Sequence, residues 1–227
     1  MVIGNGLISK SFKEYFDEDN SILIFASGVS NSQETDSNNF LREKKLLTET
    51  IEKNLDKQII YFSTILIDFK SNPYYTHKKE MEILIKNLSN NYLIFRVPQL
   101  IGELGNDNNL INYLVSKIRD NKEFNIYKNS KRSIIDIKDV VNLVKYCIGK
   151  IKCETLYING IEIISIVDLV DKIAYILNNK VSIKIINNIE DNNWVTLRSN
   201  IFNDYINTLK IDNNGYTEKI LKKYIKI

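Results

Sequence analysis

Short, unbroken apolar runs alternate with longer stretches in which apolar positions recur every three or four residues. The runs at 1–3, 21–26, 58–63 and 92–97 have no polar face, as expected of strands buried on both sides. Weaker strand patterns lie near 124–127, 155–158 and 181–186. Helical periodicity marks 7–16, 39–54, 73–88, 110–119, 137–147, 165–177 and 217–225; in the second of these the stripe is Phe40, Leu46, Leu47 and Ile51. Continuous strands separated by helices predict an α/β protein with a parallel sheet covered on both faces, binding ligands at the carboxyl ends of its strands. The pattern is strongest over 1–150 and looser over 151–227. This predicts a main α/β domain and a small C-terminal region intertwined with it. The stretches 31–38 and 191–200 are polar and read as loops.

Composition narrows the chemistry. The chain has 227 residues, 44% of them hydrophobic, and a formal charge of +3 spread along its length. No basic stripe is present, so a nucleic-acid partner is not expected. No run approaches the roughly 20 apolar residues of a membrane span, and Met1 leads straight into a strand and a glycine turn, so no leader or membrane partner is expected. Cys147 and Cys153 have no metal-knuckle or redox spacing, and His77 is the one histidine. A resident metal is therefore not expected, and the cysteines read as reduced thiols of a cytoplasmic protein.

Two local patterns carry chemistry. Gly4-Asn5-Gly6-Leu7-Ile8-Ser9 follows the first strand and opens the first helix, a GxGxxG pattern with serine in its third position. Gly4 permits the tight turn, Gly6 lets the backbone approach a pyrophosphate, and the helix N-terminus favours the anion. An ordinary strand–turn–helix with two glycines fits as well. Further on, Asn72 and Pro73 suit the cap and first position of a helix, which puts Tyr74 and Lys78 one turn apart on one face. An ammonium beside a phenol lowers the phenol's pKa from about 10 and suits it to exchange a proton with an alcohol or carbonyl. Tyr75 and Lys79 make a competing pair, and an exposed Tyr/Lys pair is the plain alternative.

The wider context resembles the extended short-chain dehydrogenase/reductases that modify nucleotide sugars. The strand end Phe62-Ser63-Thr64, then Pro73, Tyr74, Lys78 and Glu82, matches in register the family's Ser/Thr strand end and "PYxxSKxxxE"-like helix, and selects Tyr74 over Tyr75. Arg96-Val97-Pro98-Gln99-Leu100-Ile101-Gly102 resembles "RxPxxxG", and the segment from Arg132 to Val140 resembles "RDFIYVDDV", where Asp139 caps and packs. Phe25-Ala26-Ser27-Gly28 resembles the "HLAA" strand end, Asn39 with Leu46-Leu47 the next helix, and Asn159-Gly160 a later "NxG". In that helix the usual Gly-Thr has become Arg42-Glu43. The resemblance spans nearly the whole chain with one large departure: only one helix separates Gly6 from the strand at 22–26, where the family has two further strands.

The resemblance implies a Rossmann-like, doubly wound sheet in shortened form, and an NAD(P)H cofactor. NAD versus NADP is left undecided because the strand that reads the adenosine ribose is missing. It implies catalytic roles for Thr64, Tyr74 and Lys78, cofactor contacts from Gly4, Gly6, Leu7, Ile8, Ala26, Ser27, Tyr74 and Lys78, and substrate contacts from Ser63, Thr64, Gln99 and Arg132, the arginine on the diphosphate. Dehydratases of the family carry Asp-Glu after the catalytic threonine; here Ile65-Leu66 follow, which leaves ketoreductase and epimerase. Reduction of a 4-keto-6-deoxy nucleotide sugar for bacterial surface polysaccharide is the expected reaction, epimerisation the alternative, and binding without turnover the alternative outside catalysis. A homodimer through the helices at 39–54 and 73–88 is also implied.

Overall fold

The computed structural model describes residues 1–103, 109–187, 193–209 and 215–225. In chain order the elements are β1 (Val2–Ile3), α1 (Leu7–Phe16), β2 (Ile22–Phe25), α2 (Ser37–Glu52), β3 (Gln58–Thr64), α3 (Pro73–Leu88), β4 (Tyr92–Val97), β5 (Gln99–Ile101), α4 (Leu110–Arg119), β6 (Phe124–Tyr127), β7 (Lys131–Asp136), α5 (Ile137–Cys147), β8 (Glu154–Tyr157), β9 (Glu162–Ser165), α6 (Ile166–Leu177), β10 (Ile183–Ile186), α7 (Asn200–Leu209) and α8 (Tyr216–Tyr224). Single 3-10 turns follow β3 (Ile65–Asp68) and precede α7 (Asn193–Thr196). Among the described residues no helix is long and apolar enough to cross a membrane.

The chain forms two compact units whose segments interleave along the sequence. The first comprises Met1–Val97, Ile137–Ile158 and Arg198–Thr208; the second, Pro98–Asp136, Asn159–Leu197 and Leu209–Ile227. The first unit holds a five-stranded sheet in the order β1-β2-β3-β4-β8, parallel throughout. Its strands are apolar on both faces because both are covered. Leu23, Phe25, Ile59, Tyr61 and Ile94 pack with Leu47 and Ile51 of α2 and Met81 and Ile85 of α3. On the alternate positions Phe62 stacks on Phe95, and Phe12 of α1 lies 5.2 Å from the Phe62 ring.

This placement has a topological consequence. β1, β2 and β3 are consecutive neighbours and parallel, yet α1 covers the Phe62 face and α2 the Tyr61 face. The two crossovers therefore have opposite hands, and one departs from the right-handed rule. A doubly wound sheet would resolve this by continuing beyond β1, so that α1 led outward to strands on that side. Among the described residues β1 is the edge of the sheet, which is thus the expected doubly wound sheet, with helices on both faces, in shortened form.

In the second unit β5 runs parallel to β7, β7 antiparallel to β9, and β10 parallel to β6. Helix α8 is tied to β7 at Asp136, whose carboxylate accepts from Lys223 (2.5 Å) and Tyr224 (2.7 Å). Strands β5, β7 and β9 and helix α7 were not legible as elements. β5 is three residues long behind Pro98, β7 begins with two charged residues, and α7 is asparagine-rich. The stretch read as a loop at 191–200 contains the 3-10 turn and the start of α7; residues 104–108 and 188–192 lie outside the described residues.

Candidate active site

The carboxyl ends of β1, β2 and β3 bring the first group of site residues together in the first unit. Gly4 leaves β1 with φ +129°, and a Cβ there would lie 2.3 Å from the Ala26 carbonyl oxygen, so only glycine lets the turn close against the end of β2. Ala26 completes the junction, donating to the Ile3 carbonyl at 2.8 Å. Ser9, in the third-glycine position, is fully buried and donates its hydroxyl to the Gly4 carbonyl at 2.5 Å, so the replacement ties helix to turn. Gly6 precedes α1 with no side-chain cap and has open space around it. The first amides of α1, from Leu7 and Ile8 onward, have no carbonyl within the helix to bond, leaving donors for an anion. Ser27 is held from outside by Arg42, whose guanidinium donates to its carbonyl at 3.1 Å.

β3 ends on two hydroxyls of opposite fate. Thr64 accepts from the Leu66 amide at 3.3 Å and so caps the 3-10 turn. Ser63 is 4% exposed, and its Oγ has no hydrogen-bond partner among the described residues. Buried hydroxyls are rarely left in that state. By strand alternation Ser63 shares the sheet face of Tyr61, the face that α3 covers. α3 starts as expected: Asn72 Oδ1 accepts from the Tyr75 amide at 3.1 Å and Pro73 takes the first position. Tyr74 and Lys78 are both buried in its first turns.

The expected effect of Lys78 on Tyr74 is not what the geometry produces. The ammonium lies 5.9 Å from the Tyr74 ring centroid and makes its hydrogen bonds elsewhere: Glu43 Oε1 at 3.2 Å and the Tyr61 hydroxyl at 3.0 Å. The phenol of Tyr74 is pushed well above its ordinary value, first by burial, then by Tyr75 and Glu43. The lysine charge that would depress it is compensated by a carboxylate.

Glu43 was missed as a site residue. It is fully buried on α2 and takes donors from four places: the Val29 amide (2.6 Å), the Tyr61 hydroxyl (2.7 Å), His77 Nε2 (2.9 Å) and Lys78. Burial alone would raise its carboxyl. Lys78, His77, Tyr61 and Val29 outweigh that and hold it well below the ordinary carboxylate range. The signal was present in the sequence: 43, 47 and 51 form the buried stripe of α2, so a glutamate stands where the core expects an apolar residue.

A second ion cluster lies farther along α3. Glu82 receives both Nε (2.9 Å) and Nη2 (2.7 Å) of Arg96 on β4, while Arg96 Nη1 also meets Asp68 (2.5 Å) and the Tyr157 hydroxyl. Gln99 and Arg132 belong to the second unit. Gln99 donates to Asn109 Oδ1 at 3.1 Å, and Arg132, on β7, donates to the Lys131 carbonyl at 2.7 Å.

No family model matches the chain, and no curated protein matches it in sequence. Solved structures do match in three dimensions. A UDP-N-acetylglucosamine 4-epimerase from Methanobrevibacter ruminantium M1, in complex with UDP-N-acetylmuramic acid, superposes with a TM-score of 0.71 at 15% identity, over 97% of this chain and 78% of that one. A dTDP-glucose 4,6-dehydratase from Bacillus anthracis str. Ames, in complex with NAD, gives 0.69 at 14% identity, over 97% and 77%. A dTDP-4-dehydrorhamnose reductase from the same organism, in complex with NADP, gives 0.68 at 16%, over 96% and 84%. At these identities the likeness is one of fold, and the chain accordingly has the Rossmann-type α/β fold of these enzymes, in a form that spans 77–84% of their length.

Proposed function

We propose that the chain is an NAD(P)H-dependent oxidoreductase acting on a nucleotide sugar, reducing a 4-keto-6-deoxy sugar. The observation that carries the reading is the buried Ser63 hydroxyl, without a partner at the carboxyl end of β3, on the sheet face covered by the helix that bears Tyr74 and Lys78. In this reading the unpaired hydroxyl is reserved for a ligand oxygen, its place at a strand's carboxyl end setting it apart from the other unpaired buried hydroxyls, those of Thr155, Tyr205 and Thr217. Proteins of similar fold have been solved in complex with NAD or NADP, and the reductases among them support reduction.

In this reading Gly4, Gly6, Leu7 and Ile8 supply the turn and helix amides for the cofactor pyrophosphate, with Ala26 and Ser27 beside it. Hydride supply is the one part of the chemistry that a bound dihydronicotinamide contributes. Ser63 and Thr64 bind the substrate carbonyl oxygen and hold it for protonation. Tyr74 donates that proton, and its high pKa suits a donor that is fully protonated at neutral pH. Lys78 binds the cofactor ribose once it leaves Glu43. Arg132 offers a guanidinium fork to the sugar diphosphate, and Gln99 a sugar contact. The choice between NAD and NADP is left undecided, because no strand lies beyond β1 among the described residues to read the adenosine ribose. A homodimer through α2 and α3 accompanies the reading, supported by Leu41 and Ile83, apolar yet 62% and 53% exposed. A cytoplasmic step towards surface polysaccharide is its biological setting. Epimerisation of a nucleotide sugar uses the same residues and remains the alternative within catalysis.

A second reading is favoured by one observation. The ion pair of Lys78 with Glu43 suits a relative that binds a nucleotide sugar or a partner without turnover. Titration with NADH and NADPH by calorimetry, then turnover of keto-sugar nucleotides by wild type and Tyr74→Phe, decides between them. Micromolar binding and turnover that Tyr74→Phe abolishes are expected. Absence of binding by either nucleotide overturns the oxidoreductase reading in favour of the second.

A further inference from the structure

We propose that Glu43 is a positioning residue that acts through Lys78: it is the resident counter-ion of the ammonium, holding it on Tyr61 and withholding it from Tyr74. For its functional meaning this rests on the reading of Tyr74 and Lys78 given above, but the contacts stand independently of it. Lys78 and Glu43 side chains are 4% and 0% exposed, so neither charge has water to fall back on. An unpaired ammonium or carboxylate in that position is far costlier than a surface charge. The Glu43 carboxylate oxygens divide the work. Oε1 takes Lys78 and the Tyr61 hydroxyl; Oε2 takes His77 and the Val29 amide. The His77 ring in turn packs on Phe40, with centroids 4.7 Å apart.

The backbone is shaped to the pair. A Cβ at Gly28 would lie 2.7 Å from Lys78 Nζ and 2.8 Å from Glu43 Oε1. The loop leaving β2 therefore crosses directly over the ion pair, and only a residue without a side chain fits there unless the pair shifts. The next amide, Val29, is the one Glu43 accepts from. Glu43 thus joins α2, the β2 loop, β3 and α3 around a single ammonium, and it fixes where that ammonium points. Lys78 is directed towards Tyr61, whose ring centroid is 5.1 Å away, with Tyr74 at 5.9 Å and without a hydrogen bond to the lysine. A ligand that draws Lys78 towards Tyr74 must take it from Glu43.

The test is the titration of tyrosinate absorbance in wild type, Glu43→Gln and the double variant Glu43→Gln/Lys78→Met, with Tyr61→Phe and Tyr74→Phe to assign the two phenols. Glutamine keeps the shape and the Val29 bond but not the charge. The phenols beside Lys78 are expected to titrate lower in Glu43→Gln by about one unit or more, a tenfold gain in phenolate, and to lose that shift in the double variant. A folded Glu43→Gln protein with unmoved phenols overturns the proposal. If Glu43→Gln does not fold while the double variant does, the uncompensated ammonium is the cause and the counter-ion role stands. If neither folds, Glu43 serves the fold through Val29 and His77, and the proposal fails. An NADH titration alongside separates the two readings: binding with unmoved phenols removes the role of Glu43 and keeps the cofactor reading, and moved phenols without binding do the reverse.

Discussion

Helix α3 carries two ion clusters built from the same three kinds of group, a cation, a carboxylate and a tyrosine, and they differ in what their cation is free to do. Towards its C-terminal half, Glu82 grips Arg96 through two parallel bonds, with Asp68 and Tyr157 filling the remaining side of the guanidinium. At its start, Glu43 meets Lys78 through one 3.2 Å contact, with Tyr61 and His77 around it. The planar guanidinium fork is locked to its partner by geometry, while an ammonium on a four-carbon stem is a point charge that can be drawn to another acceptor. The first cluster ties α3 to β4. The second holds its cation by a single contact, and it lies beside Tyr74 on the sheet face that Ser63 shares.

The largest way to break the comparison is Arg96→Met. It leaves the carboxylate of Glu82, only 2% exposed, without its partner, and should cost about 4 kcal/mol in urea unfolding. Lys78→Met strands Glu43 similarly and should cost about 3 kcal/mol, while Glu43→Gln/Lys78→Met recovers most of that loss. A double variant as unstable as Lys78→Met would mean that the contacts of Glu43 with Val29 and His77, and not the ion pair, hold this region.

The tyrosines sharpen the difference. Tyr61→Phe removes a bond to a buried carboxylate and should cost about 2 kcal/mol; Tyr157→Phe, whose partner Asp68 is partly exposed, should cost about 0.5 kcal/mol in the same assay. Acid should separate the clusters too. Because Glu43 is held below its ordinary value in the fold, its stabilising share is complete above the unfolded value near 4.3. That share is lost as pH falls from there towards the folded value, with a slope of up to about 1.4 kcal/mol per pH unit. Glu43→Gln/Lys78→Met should flatten the acid limb of stability measured from pH 6 to 3. The smallest expected change is Ser63→Ala, neutral to slightly stabilising, within about 0.5 kcal/mol, because the hydroxyl has no partner among the described residues to lose. Combined with a large loss of turnover, it would mark Ser63 as a ligand group; a clear loss of stability would mark it as structural.

Much of this was legible without coordinates because it depends on neighbours in sequence. β1–β4, α1–α6 and α8 follow from apolar periodicity, and the start of α3 from Asn72 and Pro73, whose cap and first-turn geometry are local. The GxGxxS turn was readable for the same reason, as the φ of Gly4 and its approach to Ala26 follow from a tight strand-to-helix turn. β5 and α7 escaped because three residues after a proline and an asparagine-rich stretch carry little periodic signal.

The sequence by itself determined a parallel α/β sheet with a glycine turn at its first strand and a tyrosine–lysine helix after its third. Each of these is encoded within one turn or one strand, where sequence spacing and spatial distance are nearly the same thing. The tertiary structure decided what the lysine touches. Glu43 and Lys78 are 35 residues apart and meet only because α2 and α3 pack on the same face of β3, with Gly28 letting the β2 loop pass over them. It likewise decided that Ser63 keeps an unpaired hydroxyl while Thr64 caps a turn, since a buried group's partners come from whichever elements fold against it.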